Sequence, residues 1–307
     1  MDQPTAAPFR SGYVAILGKP NAGKSTLMNA IVGEKIAIVS DKPQTTRDRI
    51  AGIFTTTEFQ IVFLDTPGII VPQDRLNESL MARAAEALEG IDVLYHLADA
   101  TDREPPNERL LELLRRAKPR ARFLVINKID RARGDREPIP PGIDPTRYDE
   151  VFFVSALKRQ GLDKLIERTT ALLQPGPMYY DPEQLSDRDE RFLAAEIVRE
   201  KVFRHTGAEI PYAVYTEVAA FEERPGKDFI SVAIYVERDS QKGIIIGDGG
   251  RTLKTIGSEA RRGIEKLTGR PAYLELRVKL RKNWRKKENE LANFGFKPPP
   301  KKGRKKS

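Results

Sequence analysis

Cysteine is absent from this sequence, histidine occurs twice and tryptophan once. Without cysteine there is no disulfide framework, no thiolate metal site and no cysteine nucleophile, which fits a reducing compartment. His96 and His205 have no partner ligand spaced nearby, so each reads as a packing or surface residue and not as a metal ligand. No run of 18 apolar residues occurs, and residues 1–11 lack a charged region followed by an apolar one, so the expectation is a cytoplasmic protein without a membrane-spanning helix. A chain of 307 residues suggests about two domains, each able to bury its own core.

Negative charge is scarce at one end. Residues 1–180 carry a net +1 and residues 181–241 a net −6, whereas residues 242–307 hold 20 Lys and Arg against 6 acidic residues, a net +14. Such asymmetry points to a polyanionic partner, nucleic acid first and an acidic membrane surface second.

The most informative stretch is Gly-Lys-Pro-Asn-Ala-Gly-Lys-Ser at 18–25, between an apolar run at 13–17 and a helical stretch from Lys24 to Val32. The spacing is that of a phosphate-binding P-loop: Gly18 and Gly23 allow backbone N–H groups to turn inward, Lys24 reaches the β- and γ-phosphates, and Ser25 places its hydroxyl on Mg²⁺. The helix N-terminus adds partial positive charge. A plain glycine-rich turn is the bland alternative, and the strand before and helix after argue against it.

Further along, 39–47 reads as a mobile polar connector, and apolar segments at 50–54 and 59–64 read as strands, the second buried on both faces. It ends in Asp65-Thr66-Pro67-Gly68, where an Asp can hold a Mg²⁺-bound water and a Gly can bring its N–H to the γ-phosphate. Helices are expected over 74–88, 107–117 and 162–173, and strands over 93–97, 123–126 and 151–154. Repeated strand-then-helix units indicate a mostly parallel sheet with ligands at the carboxyl ends of its strands. Asn127-Lys128-Ile129-Asp130 lies at such an end; Asp130 can accept from the ring N–H and exocyclic amino group of guanine, and the Lys128 stem can lie against the base. The Pro- and Arg-rich stretch 131–148 reads as a surface connection. Domain boundaries are expected at 1–177, with a linker at 178–186, a second domain at 187–290 and a C-terminal segment with a basic tail at 291–307.

In the second domain, Ala194, Ile197, Val198 and Val202 share a helical face; 210–218 reads as a strand, and Ile230, Val232, Ile234 and Val236 alternate as a second strand with one buried face, joined by Pro225-Gly226. Gly247-Asp248-Gly249-Gly250 then lies between two short helices and before a last alternating strand at 272–280. This has the form of a KH-domain GxxG loop, which lets a nucleic-acid backbone approach closely.

Together, GKPNAGKS at 18–25, QTTRDR at 44–49, DTPG at 65–68, NKID at 127–130, SAL at 155–157, IIGDGG at 245–250 and NWRKKENELANFGF at 283–296 resemble the Era family of bacterial GTPases over nearly the whole chain. The resemblance implies an α/β P-loop GTPase domain followed by an α+β type II KH RNA-binding domain. It implies a GTP and GDP site of Gly18, Asn21, Ala22, Gly23, Lys24, Ser25, Thr26, Asp65, Gly68, Asn127, Lys128, Asp130, Ser155 and Ala156, with Ser25, Thr46 and Asp65 at Mg²⁺ and Lys24, Thr46 and Gly68 serving hydrolysis. The residues alone do not choose between Thr45 and Thr46. Asn21 resembles a P-loop Asn of K⁺-binding GTPases, so K⁺ joins the expected ligands. The implied partners are the 3′ end of small-subunit (16S) rRNA and the 30S ribosomal subunit during its maturation, met by a monomer. The candidate RNA contacts are Ile246, Gly247, Gly249, Gly250, Arg251, Lys254, Arg277, Lys279, Arg281 and Trp284; the cations read equally as solvated surface charge, and Trp284, like Phe294, reads at least as well as packing of the C-terminal segment against the KH domain. Asp248 and Gly249 depart from the basic residues common in such loops, which shifts phosphate contact toward the backbone and the neighbouring cations.

Ile69 follows Asp-Thr-Pro-Gly where Ras-type enzymes orient water with Gln, so slow intrinsic hydrolysis without a side-chain base is expected. A γ-phosphate switch over 40–49 and 65–75 would pass the nucleotide state to the KH domain. Two other readings stand beside this one: an RNA-binding assembly factor whose nucleotide is mainly structural, and a GTPase drawn peripherally to the inner face of the cell membrane by 282–287 and the 301–306 tail.

Overall fold

The computed structural model describes residues 8–40, 42, 45–132, 138–207 and 210–297. Residues 298–307 with the basic tail, residues 41, 43 and 44 of the 39–47 connector and residues 133–137 of the 131–148 stretch lie outside the described residues.

The first domain runs β1 (Arg10–Leu17), α1 (Lys24–Val32), β2 (Ile50–Thr55), β3 (Phe59–Asp65), α2 (Arg75–Glu86), β4 (Val93–Asp99), α3 (Glu108–Arg116), β5 (Ala121–Asn127), β6 (Glu150–Phe153), α4 (Leu162–Leu172) and the short β7 (Gln174–Pro175). Its strands order as β2-β3-β1-β4-β5-β6, all pairs parallel except β2 with β3, and β7 closes back antiparallel on β1. Helices cover both faces, so the strands read as continuous apolar runs, as parallel sheets require. Helix starts follow local chemistry: Asp74 caps α2 through the N–H of Asn77 (2.9 Å) and Asn107 caps α3 through that of Leu110 (2.9 Å), each worth about 1 kcal/mol.

Residues 178–186 are not a free linker. The Gln60 amide accepts from the N–H groups of Tyr179 (2.7 Å) and Tyr180 (3.0 Å) and donates to the Tyr180 carbonyl (3.0 Å), while Tyr179 stacks on Tyr13. Ile53 N–H then reaches the Leu185 carbonyl, Ala51 N–H the Asp187 carboxylate, and the Arg188 guanidinium the Arg49 carbonyl. The chain is strapped to the sheet until Arg188.

The second domain runs α5 (Glu190–His205), α6 (Ile210–Ala213), β8 (Tyr215–Glu222), β9 (Asp228–Val236), α7 (Asp239–Ile246), α8 (Arg251–Thr268) and β10 (Ala272–Leu280), followed by α9 (Glu288–Asn293). Its sheet orders β10-β9-β8, with β8 antiparallel and β10 parallel to β9. Three expectations change. The stretch 210–218 is not one strand: Pro211, which lacks an N–H for a ladder, lies in a single helical turn, and the strand begins at Tyr215. The helix after the glycine loop is long, with 18 residues. β9 is buried on both faces, because Ala233 and Tyr235 on its second face meet Trp284, Leu291, Phe294 and Phe296 of the C-terminal segment. That cluster also contains Leu76, Leu80 and Met81 of α2, so the two domains share a continuous apolar core.

Candidate functional site

A cleft of about 390 Å³ opens at the carboxyl ends of β1, β3, β5 and β6. Lining it are Asn21, Gly23, Lys24, Ser25 and Thr26 from the P-loop, Thr46, Gly68, and Asn127, Lys128, Asp130 and Ala156 from the far side. Asp65 and Ser155 are fully buried just behind this surface.

The P-loop is held from the base side. Gly23 has φ +98°, and a Cβ there would lie 2.3 Å from the Asn127 amide nitrogen, so only glycine fits. That nitrogen donates to the Ala22 carbonyl (2.9 Å), and the Asn127 oxygen accepts from Ala156 N–H (3.0 Å). Lys128 sends its ammonium to the Asn21 carbonyl (2.6 Å) and to Asp99 (2.6 Å). Asp99, at the end of β4, was not singled out in the sequence; its place at a strand end was the available signal. Ser155 Oγ donates to Asp130, fixing the carboxylate expected to read guanine.

Lys24 is 6% exposed, and among the described residues its ammonium meets only the carbonyls of Gly18 (3.3 Å) and Lys19 (3.0 Å). Burial lowers it to about 8, against the opposing pull of Asp65. A buried ammonium held by carbonyls alone is completed by an anion, which phosphate oxygens supply.

Three hydroxyl and carboxylate oxygens converge opposite. Ser25 Oγ donates to Asp65 Oδ2 (2.7 Å), Thr46 Oγ1 donates to the same oxygen (3.1 Å), and the two hydroxyls are 3.0 Å apart. Thr45 instead donates to the Lys42 carbonyl (2.6 Å), so of the two threonines it is Thr46 that meets Ser25 and Asp65. Among the described residues Asp65 Oδ1 has no hydrogen-bond partner, and burial raises this carboxyl above its usual range. An orphaned carboxylate oxygen beside two hydroxyls is a hard-oxygen set that fits Mg²⁺. Ile69 is fully buried in the core, its N–H on the Gly18 carbonyl (3.2 Å), and offers nothing to orient water.

In the second domain, Gly247, Gly249 and Gly250 have φ of 72°, 57° and 80°. Ile246, half-buried, ends α7, while Arg251 and Lys254 occupy the first turn of α8; Arg251 pairs with Asp248 in the open, a contact of little energetic weight. Between α8 and β10 lies a groove of about 460 Å³ lined by Lys254 and by Arg261 and Tyr273, neither of which the sequence singled out. Arg277, Lys279 and Arg281 are not with them. They share with Tyr273 the face of β10 opposite Leu274, Leu276, Val278 and Leu280, which pack against the domain core, and they lie further along the strand, beyond the residues that line the groove. Trp284 is a correction: it is wholly buried, with its indole N–H on the Ala213 carbonyl, so it has no ring face open to a base.

The 50S ribosome-binding GTPase family matches residues 13–128, and the KH domain family matches residues 209–285. GTPase Era of Geobacter metallireducens is 47% identical over 294 residues, covering 94% of this chain and 98% of that protein. GTPase Era of Alkaliphilus metalliredigens is 42% identical over 293 residues, with 94% and 99% covered. Among solved structures, a variant Aquifex aeolicus Era bound to GDP·AlF4⁻ matches with TM-score 0.87 and 38% identity, covering 94% of this chain and all of that one. Era in complex with MgGDPNP and nucleotides 1506–1542 of 16S ribosomal RNA matches with TM-score 0.84 and 37% identity, covering 94% and 99%. Relatives this similar over this much of the chain settle the assignment: the chain belongs to the Era family of GTPases.

Proposed function

We propose that this chain binds GTP with Mg²⁺, hydrolyses it to GDP and phosphate, and binds the 3′ end of small-subunit rRNA to assist maturation of the 30S subunit. The single observation that carries the nucleotide half is the convergence of Ser25, Thr46 and the orphaned Asp65 oxygen across the cleft from Lys24. The RNA half draws on the KH match, the groove beside Lys254, Arg261 and Tyr273, and the relative solved with 16S nucleotides.

In this reading Lys24 and the P-loop N–H groups neutralise charge on the transferred phosphoryl group, Gly68 N–H meets the γ-phosphate, and Asp130 with the 155–156 backbone reads guanine. Ser25, Thr46 and Asp65 would hold Mg²⁺, which supplies electrostatic stabilisation of the β- and γ-phosphate charge. With Ile69 in the core, the intrinsic rate is slow. K⁺ belongs to the same proposal through Asn21, whose φ is +62°; equal rates in K⁺ and Na⁺ remove it. Nucleotide work is assigned to 1–177 and RNA work to 187–290 of a monomer, with 178–186 as the join and 291–307 as the closing segment.

The test is multiple-turnover GTP hydrolysis together with binding of a labelled small-subunit rRNA 3′-end fragment against a scrambled RNA at fixed salt. Turnover with sequence-dependent binding supports the proposal. Binding without turnover leaves an assembly factor with structural nucleotide, and equal, salt-sensitive binding to both RNAs or to anionic vesicles leaves a GTPase with an unspecific basic surface.

A further inference from the structure

Residues 45–47 reach into both domains. The Thr46 hydroxyl lies on Ser25 and Asp65, while the Thr45 carbonyl accepts from the guanidinium of Arg199 on α5. The next side chain, Arg47, leaves the GTPase domain altogether. It is 3% exposed and donates to the carbonyls of Pro211 (2.7 Å), Tyr212 (3.1 Å) and Val214. The remaining carbonyl of that stretch, Ala213, is taken by Trp284, whose ring lies 5.8 Å from the Arg47 guanidinium carbon. A one-turn helix leaves its last carbonyls without partners. Here Arg47 and Trp284 fill that need from two sides, making the end of α6 a socket.

Among the described residues no carboxylate stands within ion-pair range of Arg47, since the nearby Glu196 pairs with Arg199, and the Arg47 Nε has no hydrogen-bond partner. Carbonyl dipoles and a ring face hold the buried guanidinium in place of a paired carboxylate. All of these contacts are made to the second domain, so a displacement of residues 45–47 breaks them together. The socket is also well placed, since α6 runs into β8, β8 pairs with β9, and β9 leads to α7 and the glycine loop.

We propose that Arg47, seated in the socket of α6 and Trp284, is the positioning residue that carries the nucleotide state to the KH domain. With Thr46 held at the metal site the guanidinium is seated and the two domains are locked; when Thr46 withdraws, the socket empties and the KH domain is released. This rests on the GTP and RNA reading above. Arg47 touches none of the nucleotide-site residues described, so it acts only through the position of its neighbour.

The experiment measures, on the full chain at fixed salt, the affinity of a labelled small-subunit rRNA 3′-end fragment with a non-hydrolysable GTP analogue and with GDP. In the wild type the two affinities are expected to differ by about fivefold or more, the usual range of coupling. In Arg47→Ala the ratio falls to about one while GDP affinity is retained, and Arg47→Lys recovers part of it, since an ammonium still reaches a carbonyl. Trp284→Phe keeps the ring but loses the N–H to Ala213, and its ratio is expected to fall between the two; thermal melting of each variant separates this from unfolding. A wild-type ratio in Arg47→Ala, or a ratio of one in the wild type while sequence-dependent RNA binding persists, overturns the inference alone. Absence of RNA binding by the wild type in both states overturns the function proposed above as well.

Discussion

The indole N–H of Trp284 donates to the carbonyl of Ala213 at 2.9 Å, and this one bond ties the C-terminal segment to the turn that opens the KH sheet. The ring is packed against Tyr215, Phe294 and Phe296. Trp284→Ala is expected to destabilise the protein by about 3–5 kcal/mol through the cavity and the unpaired carbonyl. Urea unfolding followed by circular dichroism checks this, and a stability unchanged from wild type would contradict the packing described.

Ser155 holds the Asp130 carboxylate at the far side of the cleft, where the proposed function has it accept two donors of a guanine edge. Asp130→Asn replaces one acceptor oxygen with a donor, and hydrogen bonds to a charged acceptor are worth about 1.5–3 kcal/mol each. GDP affinity should fall at least about tenfold, while xanthosine diphosphate, which presents an oxygen where guanine presents an amino group, should gain relative to GDP. Competition titration of the two nucleotides reads the exchange; an unaltered preference for GDP would remove Asp130 from base recognition.

The orphaned oxygen of Asp65 makes a prediction about metal dependence. Nucleotide binding by the wild type should tighten when Mg²⁺ replaces a chelator, and Asp65→Asn should show little response to the exchange. Because the carboxylate is buried and its charge disfavoured, the substitution should not lower the unfolding midpoint without nucleotide. A variant with full Mg²⁺ response would place the metal elsewhere.

His96, 2% exposed on β4 with Nδ1 on the Tyr148 hydroxyl, is held down to about 4 by burial. Its unfolded value is near 6.5, so between the two the unfolded chain binds more protons and stability rises with pH. The contribution is complete above about 6.5 and is lost as pH falls toward 4, amounting to about 2 kcal/mol between pH 7.5 and pH 5. His96→Gln should remove that part of the slope in urea midpoints taken at both pH values. Parallel slopes for the two proteins would show that the imidazole does not titrate as described.

Much of the nucleotide cleft was legible because its chemistry is contiguous in sequence: a glycine loop, an Asp at a strand end and an Asn-Lys-x-Asp run each announce a role within a few residues. Arg47 could not be read this way, since its carbonyl partners lie 164 to 167 positions away and a buried arginine carries no local mark. Trp284 stayed open between base stacking and packing because Asn-Trp-Arg-Lys-Lys offers an aromatic among cations, a pattern shared by base-stacking surfaces and by a core residue with solvated neighbours. The alternation of β9 announced one apolar face correctly, but the small Ala233 and the hydroxyl-bearing Tyr235 concealed that the other face was covered as well. Pro211 interrupted an otherwise strand-like run, and the turn it allowed became the receptor for Arg47.

The strap at Gln60 gives the second domain its mechanics. Arg188, on the Arg49 carbonyl, ends this hydrogen-bonded strap and α5 begins at Glu190, with Phe192 of its first turn packed on the first domain's core, so the helix rises from an anchored base. Sixteen residues of helix form a rod about 24 Å long. A tilt of about 10° at its foot swings the tip by about 4 Å. At that tip Lys42 grips the carbonyls of Phe203 and Thr206. The nucleotide-facing loop therefore grasps this lever by its long arm, where small rotations become their largest displacements.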